Sequence, residues 1–125
     1  MGNELIRSDW YQKHQQQLQS SWSDIEFVRQ TIAQIDKDFA KFNVNISEYL
    51  EIDENTKEKL LGEMSSLLQQ LSNHSPHQFT QLIYTIDLPE NIFKALLNQN
   101  DHFFENLASC ILLREAYKVF LRSKY

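Results

Sequence analysis

The chain has 125 residues, of which 42% are hydrophobic and 23% are charged, and this composition is typical of a folded globular protein. A length of this size supports one compact domain, predicted to span residues 1–125. The formal net charge of −5 disfavours general affinity for nucleic acid or anionic lipid, because lysine and arginine supply most of the binding free energy on such surfaces.

Glycine and proline are rare, with two of each, so the chain has few residues that favour tight hairpins or phosphate-binding loops. The sequence therefore predicts an all-α fold. No run approaches the roughly 18 to 20 apolar residues of a membrane helix, and the N-terminus lacks the pattern of a secretory signal. A single cysteine excludes an intramolecular disulfide. Together these features predict a cytoplasmic protein with no membrane partner.

Hydrophobic periodicity predicts a bundle of five or six helices. Their approximate ranges are 8–19, 24–42, 55–73, 76–86, 88–98 and 102–123.

The first predicted helix has only a narrow apolar face, formed by Trp10, His14 and Leu18 at four-residue spacing. Its glutamines are good helix formers but specify no buried face. Residues 1–20 are therefore expected to attach loosely to the bundle or to be mobile.

The second predicted helix has the clearest signals. Ser23 and Glu26 fit a capping box, and Trp22 and Phe27 flank it as a hydrophobic staple. An apolar seam follows at Ile25, Val28, Ile32, Ile35, Phe39 and Phe42. A seam of this length is typical of the inward stripe of an antiparallel bundle, and the alternative is a dimer seam.

Capping patterns also predict the next three helix starts. In each, a short polar side chain accepts hydrogen bonds from first-turn amides. The last two also have a proline near the start, where its missing amide proton costs little. The predicted N-caps are Asn55, Ser75 and Asp87, the last two within "SPHQ" and "DLPE".

Metal binding is not predicted. His74 and His77 lie three residues apart, but a helix end and a helix start already explain them. A metal site needs three or four convergent ligands, and His14, His102 and Cys110 lie on three separate predicted helices. The sequence therefore indicates no metal and no cofactor.

Catalysis is not predicted either. Cys110 falls in the middle of an apolar helix, where a thiol is usually buried and inert. There is no phosphate-binding loop, and no convergent set of titratable groups indicates a reaction. The chain is therefore expected not to be an enzyme.

The last predicted helix changes its apolar face along its length. The first half places Phe103, Leu107 and Ile111 on one line, and that line continues into charged residues in the second half. One explanation is that the N-terminal segment wraps the end of this helix. The other is that this end binds a protein.

The second explanation defines a candidate protein interface. Its basic line is Arg114, Lys118 and Arg122, with Leu113, Tyr117 and Phe120 as apolar contacts. The expected acidic counterpart is the connector residues Glu48, Glu51, Asp53 and Glu54. The two are predicted to meet within one chain or reciprocally across a two-fold dimer.

The predicted function is a non-catalytic helical interaction module, an adaptor or a self-associating protein, whose partner is another protein or a second copy. One alternative is a small DNA-associated regulator using a helix-turn-helix-like segment at 76–98. Its would-be recognition helix has one lysine and no arginine, so no specific nucleic-acid affinity is expected. The other alternative is an enzyme or ligand carrier with a pocket between helices.

Overall fold

The computed structural model describes residues 9–42, 46, 51–98 and 101–124. This part of the chain contains six α-helices and no β-strand, which confirms the all-α prediction. The helices are α1 (Asp9–Leu18), α2 (Ile25–Phe39), α3 (Thr56–His74), α4 (Pro76–Ile86), α5 (Glu90–Leu97) and α6 (Phe103–Lys124). Short 3-10 turns at Ser21–Ser23 and Ala40–Phe42 flank α2.

The α6 helix lies at the centre of the bundle, because each of the other five helices packs on it. Leu107, Ile111 and Leu112 belong to the main core, whereas Leu113, Ala116 and Val119 belong to a second cluster. A helix that is buried on several sides needs no single apolar stripe. This burial explains why the apolar face of α6 shifts along its length.

The main core collects one buried face from each of α2 to α5. Full burial of a leucine or isoleucine stabilises the fold by roughly 1.5 to 3 kcal/mol, so these contacts dominate the stability. The largest buried side chains are Ile35 and Phe39 of α2, Leu60, Met64 and Leu68 of α3, Leu82 and Ile86 of α4, and Ile92 and Leu96 of α5.

The predicted seam of α2 is confirmed except at its first residue. From Val28 onward the seam residues are buried, but Ile25 is 52% exposed. Ile25 is the first residue of the helix, and the 3-10 turn before it brings Trp22 against Phe27 instead, with ring centroids 5.7 Å apart. Phe27 is therefore buried at this end of α2, in the second cluster.

The predicted cap of α2 is wrong by one residue. The Asp24 carboxylate accepts hydrogen bonds from the amides of Glu26 at 3.0 Å and Phe27 at 3.5 Å. Ser23 lies in the preceding 3-10 turn, where its hydroxyl donates to the Ser20 carbonyl at 2.7 Å. A carboxylate has a further advantage at this position, because it interacts favourably with the positive end of the helix dipole.

The next two helix starts give different outcomes. Ser75 accepts from the amide of Gln78 at 3.4 Å, and Pro76 is the first residue of α4, as predicted. Asn55 occupies the N-cap position of α3 but makes no side-chain cap. Instead, the Asp53 carboxylate accepts from the Asn55 amide at 2.8 Å, and this turn leads into the helix.

The prediction that Asp87 caps α5 is wrong, because Asp87 ends α4. Its backbone is left-handed, with φ 64° and ψ 55°, and its amide donates to the Ile83 carbonyl at 3.2 Å. Aspartate tolerates this conformation better than most residues do. The α5 helix then starts after Pro89 without a side-chain cap.

Alanine substitutions separate the real caps from the false one. Asp24→Ala and Ser75→Ala should each destabilise the fold by about 1 kcal/mol, because each leaves a first-turn amide without its acceptor. Ser23→Ala should change the denaturant midpoint much less than Asp24→Ala does. A larger loss in Ser23→Ala than in Asp24→Ala would show that the cap is misassigned.

Candidate functional site

The basic line of the predicted interface has partners within the chain. Arg114 Nε donates to the Asp87 carbonyl oxygen at 3.1 Å, and Arg114 Nη2 lies 3.6 Å from the Asp87 carboxylate. Lys118 Nζ donates to Asp38 Oδ2 at 2.8 Å. Arg122 Nη1 donates to Gln34 Oε1 at 2.6 Å. These residues therefore tie α6 to α2 and to the end of α4.

The predicted acidic counterpart lies elsewhere. Glu48 is outside the described residues, while Glu51, Asp53 and Glu54 are exposed. Asp53 Oδ2 accepts from Lys59 Nζ at 2.5 Å. Among the described residues of one chain, the acids that contact the basic line are Asp38 and Asp87. The reciprocal contact across a dimer stays a prediction.

The apolar part of the predicted interface is covered by α1. Leu113 is buried in the second cluster with Leu18, and Tyr117 and Phe120 pack against that cluster. The hydroxyl groups of Tyr11 and Ser109 lie 3.0 Å apart, which adds a polar contact between α1 and α6. The structure thus matches the wrapping explanation for the end of α6.

His14 anchors α1 on α6 as a neutral side chain. Its ring lies 3.9 Å from the Tyr117 ring, centroid to centroid, in an edge-on arrangement. Its Nδ1 lies 2.6 Å from the Trp10 carbonyl oxygen, which can only accept, so Nδ1 carries the proton. Burial lowers the pKa of His14, and the positive charges of Lys13 and Arg114 lower it further. This geometry gives the histidine a packing role.

A polar cluster joins α2 to α6, and we define it as Gln34, Asp38, Glu115, Lys118 and Arg122; Gln34 and Glu115 are buried, whereas Arg122 is exposed. Lys118 Nζ lies 2.8 Å from Asp38 Oδ2 and 3.5 Å from Glu115 Oε1. The exposed fractions of the side chains are 0% for Glu115, 12% for Asp38 and 20% for Lys118. The carboxyl oxygens of Glu115 accept no hydrogen bond from a described donor, but the protonated acid can donate one to Asp38.

The two carboxyl groups of the polar cluster have opposite pKa shifts. Burial raises the pKa of Glu115 to about 9, and the neighbouring Asp38 acts in the same direction while Lys118 opposes it. Burial disfavours the charge on Asp38, but Glu115, Lys118 and Gln34 outweigh burial and lower the pKa of Asp38. At neutral pH, Glu115 is therefore protonated and Asp38 is ionised beside Lys118.

Opposite shifts in a carboxyl pair are also found in acid–base catalysis, where the pair lines a substrate cavity. The two largest described cavities are lined by other residues. The pair sits between two packed helices, where Lys118 balances one carboxylate. We therefore interpret the polar cluster as structural, a contact that fixes how α2 and α6 pack.

The remaining candidates for reactive chemistry do not converge. Cys110 is fully buried, and burial raises its pKa to about 12, so the thiol stays protonated at neutral pH. His74 and His77 are exposed, and His102 Nδ1 lies 2.6 Å from Glu105 Oε2. Over the described ranges, no three histidine, cysteine or acidic side chains come together as a metal site would require.

An apolar groove lies between α4 and α5, and we call it the α4–α5 groove. Its volume is about 620 Å³. The described lining residues are Phe79, Thr80, Ile83, Tyr84, Asp87, Leu88, Pro89, Glu90 and Phe93. Tyr84 is 80% exposed, so the groove is open to solvent.

The groove follows from how the two short helices pack. Each contacts α6, through buried faces that include Ile86 of α4 and Ile92 of α5, but they make little contact with each other. The apolar side chains between these two buried faces are therefore only partly covered. Leu97, 59% exposed, lies one turn beyond Phe93 and extends the apolar surface along α5.

The sequence patterns did not predict the groove, although Phe79, Ile83 and Phe93 lie in the apolar stripes of α4 and α5. The usable signal is the width of those stripes. The α4 and α5 helices have only 11 and 8 residues, yet each has more apolar side chains than one buried face requires.

A second cavity, of about 360 Å³, has a polar lining. It lies between α1 and the start of α3 and is lined by Gln12, Gln15, Gln16, Gln19, Trp22 and Lys57. Lys57 Nζ lies 5.4 Å from the Trp22 ring centroid, so a cation already occupies that aromatic face. The cavity therefore offers less apolar area to a partner than the α4–α5 groove does.

Comparison with protein-family models, curated proteins and solved structures finds no match. In the described part of the chain, every helix is too short or too polar to cross a membrane.

Proposed function

We propose that this chain is a non-catalytic protein-interaction module that binds a helical segment of another protein in the α4–α5 groove. The observation that carries the proposal is the partly covered apolar lining of the groove, with Phe79, Ile83 and Phe93 beside Tyr84, which is 80% exposed. Soluble proteins rarely leave large contiguous apolar patches uncovered unless those patches bind something.

The shape of the groove favours a helix as the occupant. A groove between two helices accepts the apolar face of a third helix, whose anchors recur at i, i+3 or i+4, and i+7. Phe93 and Leu97 are one turn apart on α5, and Phe79 and Ile83 are one turn apart on α4. Phe79 and Ile83 therefore line the α4 side at the spacing that such anchors require, and Phe93 lines the α5 side with Leu97 one turn beyond it.

The lining residues also fit an interface in their chemistry. Tyrosine and phenylalanine are enriched at interfaces, because a ring buries a large area while losing little side-chain entropy. The polar groups of the groove are the Tyr84 and Thr80 hydroxyls and two exposed carboxylates. These described groups include neither a nucleophile with an adjacent base nor a set of metal ligands, so binding is favoured over catalysis.

DNA binding gains no support from the α4–α5 segment. The cation on α5 is Lys94, whose Nζ lies 3.2 Å from Glu90 Oε1, and both side chains are highly exposed. Asp87 and Glu90 would face the phosphates if this surface approached a duplex. The same carboxylates are compatible with a protein partner.

Site-specific photo-crosslinking in the source cell tests this proposal. Benzoylphenylalanine in place of Tyr84 should cross-link one defined segment of a different protein, whereas the same group in place of exposed Gln30 on α2 should not. A synthetic peptide of the captured segment should bind the wild-type chain and lose at least about tenfold in affinity for Leu97→Glu.

Two outcomes would contradict the proposal. Equal cross-linking at both positions would show that the groove has no preference for a partner. Cross-links between two copies of the chain would show self-association instead of binding to a different protein.

A further inference from the structure

The charged residues of the α4–α5 groove have one sign. Among its described lining residues, the charged ones are Asp87 and Glu90, which lie on either side of the Leu88–Pro89 link between α4 and α5. The acids are therefore at one end of the groove. Phe79, Ile83 and Phe93 supply apolar lining away from this link.

Both acids have carboxylates that are open to solvent although each lies near a cation of the same chain. Glu90 and Lys94 form an exposed pair at 3.2 Å, with side chains 83% and 71% exposed. The Asp87 side chain is 81% exposed and lies 3.6 Å from Arg114 Nη2. The exposed Glu90–Lys94 pair contributes little to stability, so Glu90 can accept from an incoming cation at small cost. The Arg114 side chain is only 22% exposed, but the Asp87 carboxylate itself is open to solvent and can accept from a second cation beside Arg114.

From this polarity we infer the chemistry of the partner: an amphipathic helix whose apolar residues fill the groove and whose lysine or arginine residues lie over Asp87 and Glu90. This inference rests on the proposed function of the same groove. The net charge of −5 also favours a basic partner, because it accelerates the approach of a cationic helix.

A second copy of the chain fits the groove less well. It would bring its own charge of −5 and, in a two-fold contact through this groove, the same two acids. Like charges that meet without compensation disfavour association. The favoured occupant is therefore a basic segment of another protein.

Two designed helical peptides test the inference with the full chain. Both carry leucine or phenylalanine at i, i+3, i+4 and i+7, and the remaining positions are mainly lysine in one peptide and mainly glutamate in the other. Fluorescence anisotropy should give an affinity about tenfold higher for the basic peptide at low salt, with the preference shrinking as salt is added.

Two double variants separate the groove acids from general charge. Asp87→Asn with Glu90→Gln should bring the two affinities to within about threefold, and asparagine keeps the left-handed backbone that Asp87 adopts. Glu26→Gln with Glu63→Gln removes the same charge outside the groove and should preserve the basic preference. Glu26 is a matched residue, because it too lies in a first turn near a cation, Arg29.

Other results would overturn the basic partner, the proposed function of the groove, or both. Equal affinity for both peptides, with binding lost in Leu97→Glu, would overturn the basic partner and keep the groove. An equal loss of preference in both double variants would show non-specific charge attraction and overturn the inference. No binding of either peptide would contradict both the inference and the proposed function. If light scattering gave the mass of a dimer, and Leu97→Glu reduced it to that of a monomer, the occupant of the groove would be a second copy of the chain.

Discussion

Replacing Lys118 with methionine is expected to destabilise the fold by roughly 2 to 4 kcal/mol, because it leaves a mostly buried carboxylate without its cation. Lys118 Nζ lies 2.8 Å from Asp38 Oδ2 and 3.5 Å from Glu115 Oε1, and methionine keeps most of the aliphatic volume. Denaturant unfolding at pH 7 measures the change in the free energy of unfolding.

Two further variants serve as controls for Lys118→Met. Lys94→Met breaks a pair whose side chains are 71% and 83% exposed, and it should cost less than about 1 kcal/mol. Adding Asp38→Asn to Lys118→Met should recover part of the loss, because the unpaired charge is then absent. If Lys118→Met and Lys94→Met had equal effects, the polar cluster would not stabilise the contact between α2 and α6.

Glu115→Gln is expected to stabilise the protein by a few kcal/mol at pH 8.5 and to remove most of the pH dependence there. The pKa of Glu115 is raised from 4.5 to about 9 in the folded state, so the folded protein holds a proton that the unfolded chain releases. The stability from this group is fully present below pH 4.5 and is lost as pH rises toward 9. The slope is at most about 1.4 kcal/mol per pH unit.

The window from pH 7 to 8.5 isolates Glu115. His14 and Asp38 have lowered pKa values, so their contributions are lost only as pH falls, below 6.5 and 3.8 respectively. The raised pKa of Cys110 matters only as pH rises through 9.0. Unfolding curves across the window should show falling stability for the wild type and for Glu63→Gln, but not for Glu115→Gln. A parallel slope in Glu115→Gln would mean that Glu115 is ionised in the folded protein.

Local sequence patterns predict the helices because each helix start is encoded over a few residues. Only one helix start is compatible with Ser75, Pro76 and Gln78 together, and α4 begins there, at Pro76. Ser23 and Asp24 are adjacent residues that can both cap, and the pattern does not decide between them. Asp87 can end one helix or begin the next, and only the left-handed backbone reveals which role it takes.

Local sequence patterns do not predict the contacts of the polar cluster. Helical periodicity places Arg114 and Lys118 on one line, but it does not identify the helix that faces them. The partner Asp38 is 80 positions from Lys118 in the chain. Such a contact depends on the packing of helices that are not consecutive in the chain. The sequence of one helix does not show which other helix packs against it.

The α4–α5 groove was missed for a related reason. An apolar stripe shows which side chains avoid water, but it does not show whether a neighbouring helix covers them. Leu82 and Ile92 are covered by the bundle, while Tyr84 and Leu97 are not. The difference arises because α4 and α5 both pack on α6 and little on each other.

Amide chemical shifts of the ¹⁵N-labelled full chain, followed during titration with the basic designed helix, test most directly whether the α4–α5 groove is a binding site. The largest changes should fall within residues 79–97, with little change in the polar cluster between α2 and α6. The largest changes around the glutamine-lined cavity of α1, or changes spread evenly over the bundle, would contradict the assignment of the groove as the binding surface.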